Sequence, residues 1–214
     1  MKKLSKEKTQ AAQMVALILA RVFNYPDRDF TKELINGEIS KQLDACIDIL
    51  NLEDLNQPLA DIQSYFKNNK NFEEFQLDLE KEYTWLFFAS KPRAVYIFES
   101  VYTEGKLLRD STFNVARMYY DAGLNVVESM KLPPDHIAVE LEFLAYLLFN
   151  ELKSLNEKQK DKLELAISMR KKLLEKHLGP FSKSFSERLK EKARLPFYKA
   201  MAHILEKFIV SIIS

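Results

Sequence analysis

Apolar residues recur at helical spacing along almost the whole chain, and this pattern limits the possible folds more than any other feature. In the C-terminal segment, Pro196 can open a helix, and Ala200, Ile204, Phe208 and Ile212 then form an apolar stripe on one helical face. The chain has only four glycines. Alternating strand patterns bounded by turn pairs such as Asn-Gly are missing from it. The sequence therefore predicts an all-α protein.

Two more helices follow from the same spacing. The first helix is marked by Ala11, Val15, Ile18 and Val22. A helix over about 72–88 is marked by Phe72, Phe75, Leu79, Tyr83 and Leu86. This second helix ends in four consecutive large apolar residues, 85–88. Because neighbouring helical residues point in different directions, at least one of the four should be exposed or should line a groove.

Capping signals predict where other helices begin. Asp110 or Ser111 is a suitable N-cap for a helix that follows it. Asn156 with Gln159 has the spacing of a capping box, which predicts a long helix that runs to about His177.

Two segments lack a clean helical period. Residues 89–106 are too hydrophobic for an idle loop, so we expect them to pack or to bind. Residues 123–134 form a connector, which is a possible hinge between N-terminal and C-terminal parts of one all-helical domain over residues 1–214. Such a hinge would let two chains exchange their C-terminal helices, so the sequence leaves both a monomer and a domain-swapped dimer open.

Charge and cysteine content narrow the class of protein. The formal net charge is +1, from 32 basic and 31 acidic residues, whereas proteins that hold duplex nucleic acid usually show a clear basic excess. The single cysteine, Cys46, excludes a disulfide within the chain and favours a reducing compartment. No apolar run is long enough to cross a bilayer. These features indicate a cytoplasmic protein without a transmembrane segment and without a nucleic-acid partner.

The stretch "LPPDHIAVELEFL", residues 132–144, combines a helix start with polar groups. Two prolines disfavour helix before Asp135, which is well placed to cap a helix that begins after them. The buried face of that helix is predicted to carry Ile137, Leu141, Leu144 and Leu148. His136 and Glu140 then lie on a neighbouring face.

The spacing of His136 and Glu140 leaves an enzyme open as an alternative. The pair could supply two metal ligands, but a metal site needs three or four, and the other histidines show no complementary spacing. A histidine beside carboxylates can also serve in acid/base catalysis. No nucleophile motif or phosphate-binding loop accompanies the pair. A helical DNA-binding regulator is a third alternative, which the balanced charge disfavours.

Four stretches together resemble a known family. They are "EYTWLFFAS" at 82–90, "FESVYTEGKLLRDST" at 98–112, "PPDHIAVELEFLAYLL" at 133–148, and a C-terminal part that contains "HLGPFSKSF" and "PFYKAMAHILEKF". Their order and spacing are similar to those of the TorD/DmsD/NarJ family of redox-enzyme maturation chaperones. The resemblance covers about residues 75–210.

The resemblance implies a TorD/DmsD-like bundle of about nine to eleven helices and a cytoplasmic chaperone that is not an enzyme and needs no cofactor. Its implied partners are the twin-arginine leader peptide and the apo catalytic subunit of a molybdopterin oxidoreductase, which it holds until the enzyme's cofactor is inserted. The family's peptide-binding region corresponds here to Tyr83, Trp85, Leu86, Phe87, Glu99, Ser100, Pro134, Asp135, His136 and Glu140.

The chemistry of a twin-arginine leader agrees with these residue types. Guanidinium groups require carboxylates that accept charge-assisted hydrogen bonds, which Glu99, Asp135 and Glu140 can supply. The apolar part of a leader requires a hydrophobic trough, for which the candidates are Trp85, Phe87, Tyr96 and Phe98. The sequence thus predicts a peptide groove that borders the start of the helix after Asp135.

Overall fold

Helices make up nearly all of the regular structure. The computed structural model describes residues 4–68, 71–89, 91–124 and 132–213. These ranges contain eleven α-helices and one π-helical turn, Trp85–Ala89, which continues the fifth helix. The helices are α1 Lys6–Val22, α2 Arg28–Ile35, α3 Glu38–Leu50, α4 Asn56–Asn68, α5 Phe72–Thr84, α6 Glu99–Glu104, α7 Asp110–Asp121, α8 Ile137–Asn156, α9 Lys160–Lys176, α10 Leu178–Lys192 and α11 Pro196–Ile213. The predicted all-α class is confirmed.

Helix α8 lies at the centre of the core. It packs along α1 on one side and against α9 on another. The side chains on its predicted apolar stripe are all completely buried, as is most of the predicted stripe of α1. Alanines at 12 and 16 add no bulk to the buried face of α1, which allows the two helices to approach closely. The pairing of α1 with α8 joins the N-terminal helix to the C-terminal half of the sequence.

The last helix completes the core. Helix α11 begins at Pro196, as predicted, and packs against α10 and α4. Ala200, Ile204, Phe208 and Ile212 are buried, which confirms the predicted stripe. Within the parts of the chain that the structure describes, no helix is both long and apolar enough to span a membrane.

The predicted caps of α7 and α9 are wrong. Arg109, which precedes α7, holds the cap position without a side-chain hydrogen bond. The carboxylate of Glu104, on the preceding helix, accepts a hydrogen bond from the Ser111 N–H at 3.0 Å instead. Asn156 is the last residue of α8, and Gln159 precedes α9 without a side-chain cap bond. The start of α7 is thus capped by a residue of the preceding helix, and α9 begins without a side-chain cap.

The structure tests only one of the two segments that lack a clear helical period. Residues 89–106 contain the short helix α6 and a buried stretch from Ala94 to Phe98, so they pack into the core as expected. Most of the connector 123–134 lies outside the described residues, which resume at Leu132. The hinge, and the exchange of helices that it would allow, stay predictions.

Replacing Leu141 with alanine should lower the free energy of unfolding by about 2–5 kcal/mol, because it leaves a cavity in the centre of the core. Leu165→Ala is the matched control: this leucine is 58% exposed on α9, and its loss should change stability by less than about 0.5 kcal/mol. Denaturant unfolding of both variants tests the difference. Equal losses would show that α8 is not the central helix.

Candidate functional site

One extended segment brings most of the predicted site residues together. The N–H of Val95 donates to the carbonyl of Leu86 in the π-helical turn, at 2.9 Å. Further along, the Glu99 N–H donates to the Asp135 carbonyl and the Ile137 N–H donates to the Ile97 carbonyl, both at 2.9 Å. The π-helical turn, the start of α6 and the start of α8 are therefore neighbours. All ten predicted residues lie on these three elements or at the adjoining end of α5.

Asp135 caps α6 and not α8. Its Oδ2 accepts a hydrogen bond from the Ser100 N–H at 3.0 Å, which satisfies a free donor in the first turn of α6. Its other oxygen, Oδ1, is buried without a hydrogen-bond partner. The prediction that Asp135 caps the following helix is wrong in this respect: the carboxylate caps a helix that begins 36 positions earlier.

His136 is the N-cap of α8. Its Nδ1 accepts a hydrogen bond from the Ala138 N–H at 3.1 Å, so the neutral ring carries its proton on Nε2. The ring packs edge-on against Phe98, and Nε2 is buried without a partner. Burial lowers the pKa of His136 to about 4, although the charge of Asp135 partly opposes this shift. The imidazole is therefore neutral at physiological pH.

Glu140 is the most isolated acidic group of the site. It lies on the first turn of α8, it is fully buried, and neither carboxyl oxygen has a hydrogen-bond partner. Burial raises the pKa of Glu140 well above its usual range, and the nearby charges of Glu99 and Asp135 raise it further. The carboxyl is therefore protonated at neutral pH. We refer to Glu99, Asp135 and Glu140 as the carboxyl cluster.

Two residues that sequence reasoning did not assign to the site contact predicted site residues. Nδ1 of His177, at the junction of α9 and α10, lies 3.0 Å from Oε1 of Glu99. The Tyr119 hydroxyl, on α7, donates to the Pro134 carbonyl at 2.7 Å. Burial, followed by the charge of Glu140, raises the pKa of Tyr119 well above its usual range. Neither residue has a local sequence signal, because both contacts join distant parts of the chain.

The aromatic part of the site is divided between core and surface. Leu86 and Phe87 are fully buried, and the Phe87 ring packs on Phe185. Trp85 is half-buried beneath the Arg194 guanidinium, which lies 3.5 Å from the centre of a ring. Phe88 is 48% exposed. The expectation that one of these four residues reaches the surface is thereby confirmed.

Tyr83 links this turn to a second exposed ring. Its ring packs between those of Tyr25 and Phe88, at centroid distances of 5.5 and 5.8 Å. Tyr25 and Phe88 are both exposed. We refer to Tyr25, Trp85 and Phe88 as the aromatic surface. π-Helical turns inside α-helices occur frequently at functional sites, and here the turn points aromatic side chains outward.

Of the ten predicted site residues, eight are buried and only Trp85 and Pro134 are partly exposed. The carboxyl cluster is thus assembled but covered. Its orphaned oxygens lower the stability of the fold, because a buried polar atom without a partner costs about 1–3 kcal/mol. Costs of this kind are typical of groups that are kept for binding or chemistry.

The burial of His136 predicts a specific loss of stability in acid. The unfolded chain binds a proton near the ordinary pKa of 6.5, whereas the folded chain binds it only near pH 4, so stability falls as the pH decreases between these values. The full shift corresponds to roughly 3 kcal/mol. His136→Asn keeps a side-chain acceptor for the cap but has no titrating group. Denaturant unfolding between pH 7 and pH 4 should show a shallower loss in this variant, and identical slopes in both proteins would contradict the assignment.

Known proteins share this sequence pattern and fold. The pattern of the nitrate reductase delta subunit family matches residues 51–187. The chaperone protein TorD of Vibrio cholerae is 25% identical over 84% of this chain and 83% of its own length. TorD of Vibrio parahaemolyticus is 27% identical over 81% of this chain and 73% of its own length.

A crystal structure supports the same fold. The redox enzyme maturation protein from Archaeoglobus fulgidus superimposes with a TM-score of 0.55 over 98% of this chain and 96% of its own, at 23% identity. The curated relatives are chaperones, so the alternative of an enzyme centred on His136 and Glu140 is set aside. The resemblance noted in the sequence is confirmed: the chain belongs to the nitrate reductase delta subunit family, to which the TorD-type maturation chaperones belong.

Proposed function

We propose that this chaperone binds the twin-arginine leader of a molybdopterin oxidoreductase, the apo form of its catalytic subunit, or both. It holds this client in the cytoplasm until the cofactor is inserted, before export or assembly. The observation that carries the proposal is the carboxyl cluster, whose unpartnered acceptor oxygens are buried beside a segment that is hydrogen-bonded to the π-helical turn with the exposed Phe88.

The cluster has the chemistry that an arginine side chain requires. A guanidinium group presents several N–H donors in a rigid plane and binds carboxylates through charge-assisted, often paired hydrogen bonds. Oδ1 of Asp135 and both oxygens of Glu140 are free to accept such bonds. Because the cluster is covered, an arginine reaches it when the partly exposed segment at Pro133 and Pro134 moves aside. Binding thus includes a local opening of the site.

The aromatic surface has the chemistry that the apolar part of a leader requires. Trp85 and Phe88 lie on the turn that is hydrogen-bonded to the segment leading into α6. An extended or helical peptide that places its arginines at the carboxyl cluster can continue along this segment to the exposed rings. Aromatic anchors of this kind supply much of the binding energy at peptide interfaces.

Titration calorimetry of the purified chain with a synthetic twin-arginine leader tests the proposal. The leader is taken from a molybdopterin oxidoreductase encoded beside this chain. We expect saturable binding that weakens by at least about tenfold when both arginines are replaced by lysine, because an ammonium group cannot form the planar paired bonds. Equal affinity for the two peptides, or no binding of either, would reject the role of the cluster.

Phe88→Ala should weaken leader binding by about tenfold, because it removes an exposed aromatic anchor worth 1 kcal/mol or more. Phe149→Ala is the matched control, since Phe149 on α8 is 49% exposed and lies outside the proposed groove. Melting curves should show that both variants keep the fold. If the two substitutions weaken binding equally, the aromatic surface is not where the leader docks.

A further inference from the structure

Glu140 differs from the other two members of the carboxyl cluster. Glu99 is paired with His177, and one oxygen of Asp135 accepts from the Ser100 N–H. Both oxygens of Glu140 lack a partner although the side chain is completely buried. A fully buried carboxyl group without a donor or a cation is stable only as the neutral acid.

The groups around Glu140 reinforce this protonation state. The negative charges of Glu99, from α6, and Asp135, from the segment before α8, act on it directly. From α7, Tyr119 interacts electrostatically with Glu140 and, as a neutral phenol, brings no positive charge. His136, one turn earlier on α8, is held neutral by burial. His177 lies beside Glu99, but no cation and no donor lies beside Glu140, so the Glu140 carboxyl stays neutral in this buried space until a cation enters.

We infer that the carboxyl cluster exchanges the proton on Glu140 for a guanidinium group of the leader, so that leader binding and proton release are one event. The inference rests on the proposed function and adds to it a specific role for Glu140. In the free chaperone the proton neutralises one carboxyl of the cluster. In the complex the arginine does so, and the ionised Glu140 and the free oxygen of Asp135 then accept its hydrogen bonds.

The exchange balances in charge and atoms. The O–H bond of Glu140 breaks, its electron pair stays on the carboxylate, and the proton passes to a base in the solvent. One positive charge leaves the site as a proton and one arrives as a guanidinium, so the net charge of the buried space is unchanged. The local cost of ionising Glu140 is offset by paired hydrogen bonds that the proton could not provide.

Calorimetry in two buffers measures the exchange directly. The leader is titrated into the full-length chain at pH 7 in phosphate and in Tris, whose ionisation enthalpies differ strongly. The dependence of the observed enthalpy on the buffer gives the number of protons released. We expect about one proton per leader, and leader affinity that rises with pH, by up to about tenfold for each pH unit over the range in which Glu140 is protonated in the free protein.

Glu140→Gln removes the exchangeable proton but keeps the size of the side chain and one acceptor oxygen. This variant should fold, bind the leader more weakly, release no proton, and lose the pH dependence of its affinity. Glu187→Gln, at an exposed position on α10, is the matched control and should behave as the unmodified chain.

The outcomes separate the two proposals. Leader binding without proton release in the unmodified chain, or with equal release in Glu140→Gln, overturns the exchange and leaves the proposed function intact. The first of these tests uses only the unmodified chain, so its result does not depend on whether Glu140→Gln folds. No saturable heat in either buffer overturns the proposed function and the exchange together.

Discussion

The pairing of two chain segments at the start of α6 and the start of α8 determines the rest of the site. Backbone hydrogen bonds join Ile97 to Ile137 and Glu99 to Asp135. This pairing places the Asp135 carboxylate at the first turn of α6 and directs Glu99 and Glu140 into the same buried space. The first N–H of each helix is satisfied by a carbonyl of the other segment, in addition to the His136 cap of α8, and an acidic cluster is formed where the two starts meet.

This arrangement lowers the stability of the fold, and the buried polar atoms that lower it lie at the proposed site. A core of leucine and phenylalanine would be more stable than one that holds a protonated carboxyl, an unpaired imidazole nitrogen and an unpaired carboxylate oxygen. Leu141, Leu144 and Leu148, further along the same helix, are completely buried apolar side chains. The buried Glu151 of α8 forms an ion pair with Arg170, so among the described residues of this helix and its N-cap the unpartnered polar atoms lie only at its start, next to the segments that contact α6. Binding of a charged partner gives a physical reason for keeping them there.

Local patterns in the sequence predicted the helices well, but they did not predict the contacts that make the site. Helical spacing is a property of neighbouring residues, so the stripes of α1, α8 and α11 were found directly. The interaction of His177 with Glu99 joins residues 78 positions apart, and nothing near either residue indicates it. The same reason explains the wrong caps: the Asp135 carboxylate binds the first turn of α6 and not that of the helix that follows it, and the start of α7 is capped by Glu104 from the preceding helix.

The two halves of the site contribute differently to recognition. Exposed rings such as Phe88 bind any apolar segment, so they supply affinity without much selectivity. The carboxyl cluster is buried, and its Glu140 carboxyl is neutral. In the proposed complex it opens favourably only for a group that brings both a positive charge and several hydrogen-bond donors. An apolar peptide without arginines would gain nothing from opening it. Because one hydrogen-bonded segment connects Leu86 to Asp135, a partner that carries both features within a short stretch can occupy both halves at once. In the proposed complex, selectivity for arginine arises from the energy needed to ionise a buried acid, and affinity arises from the exposed rings.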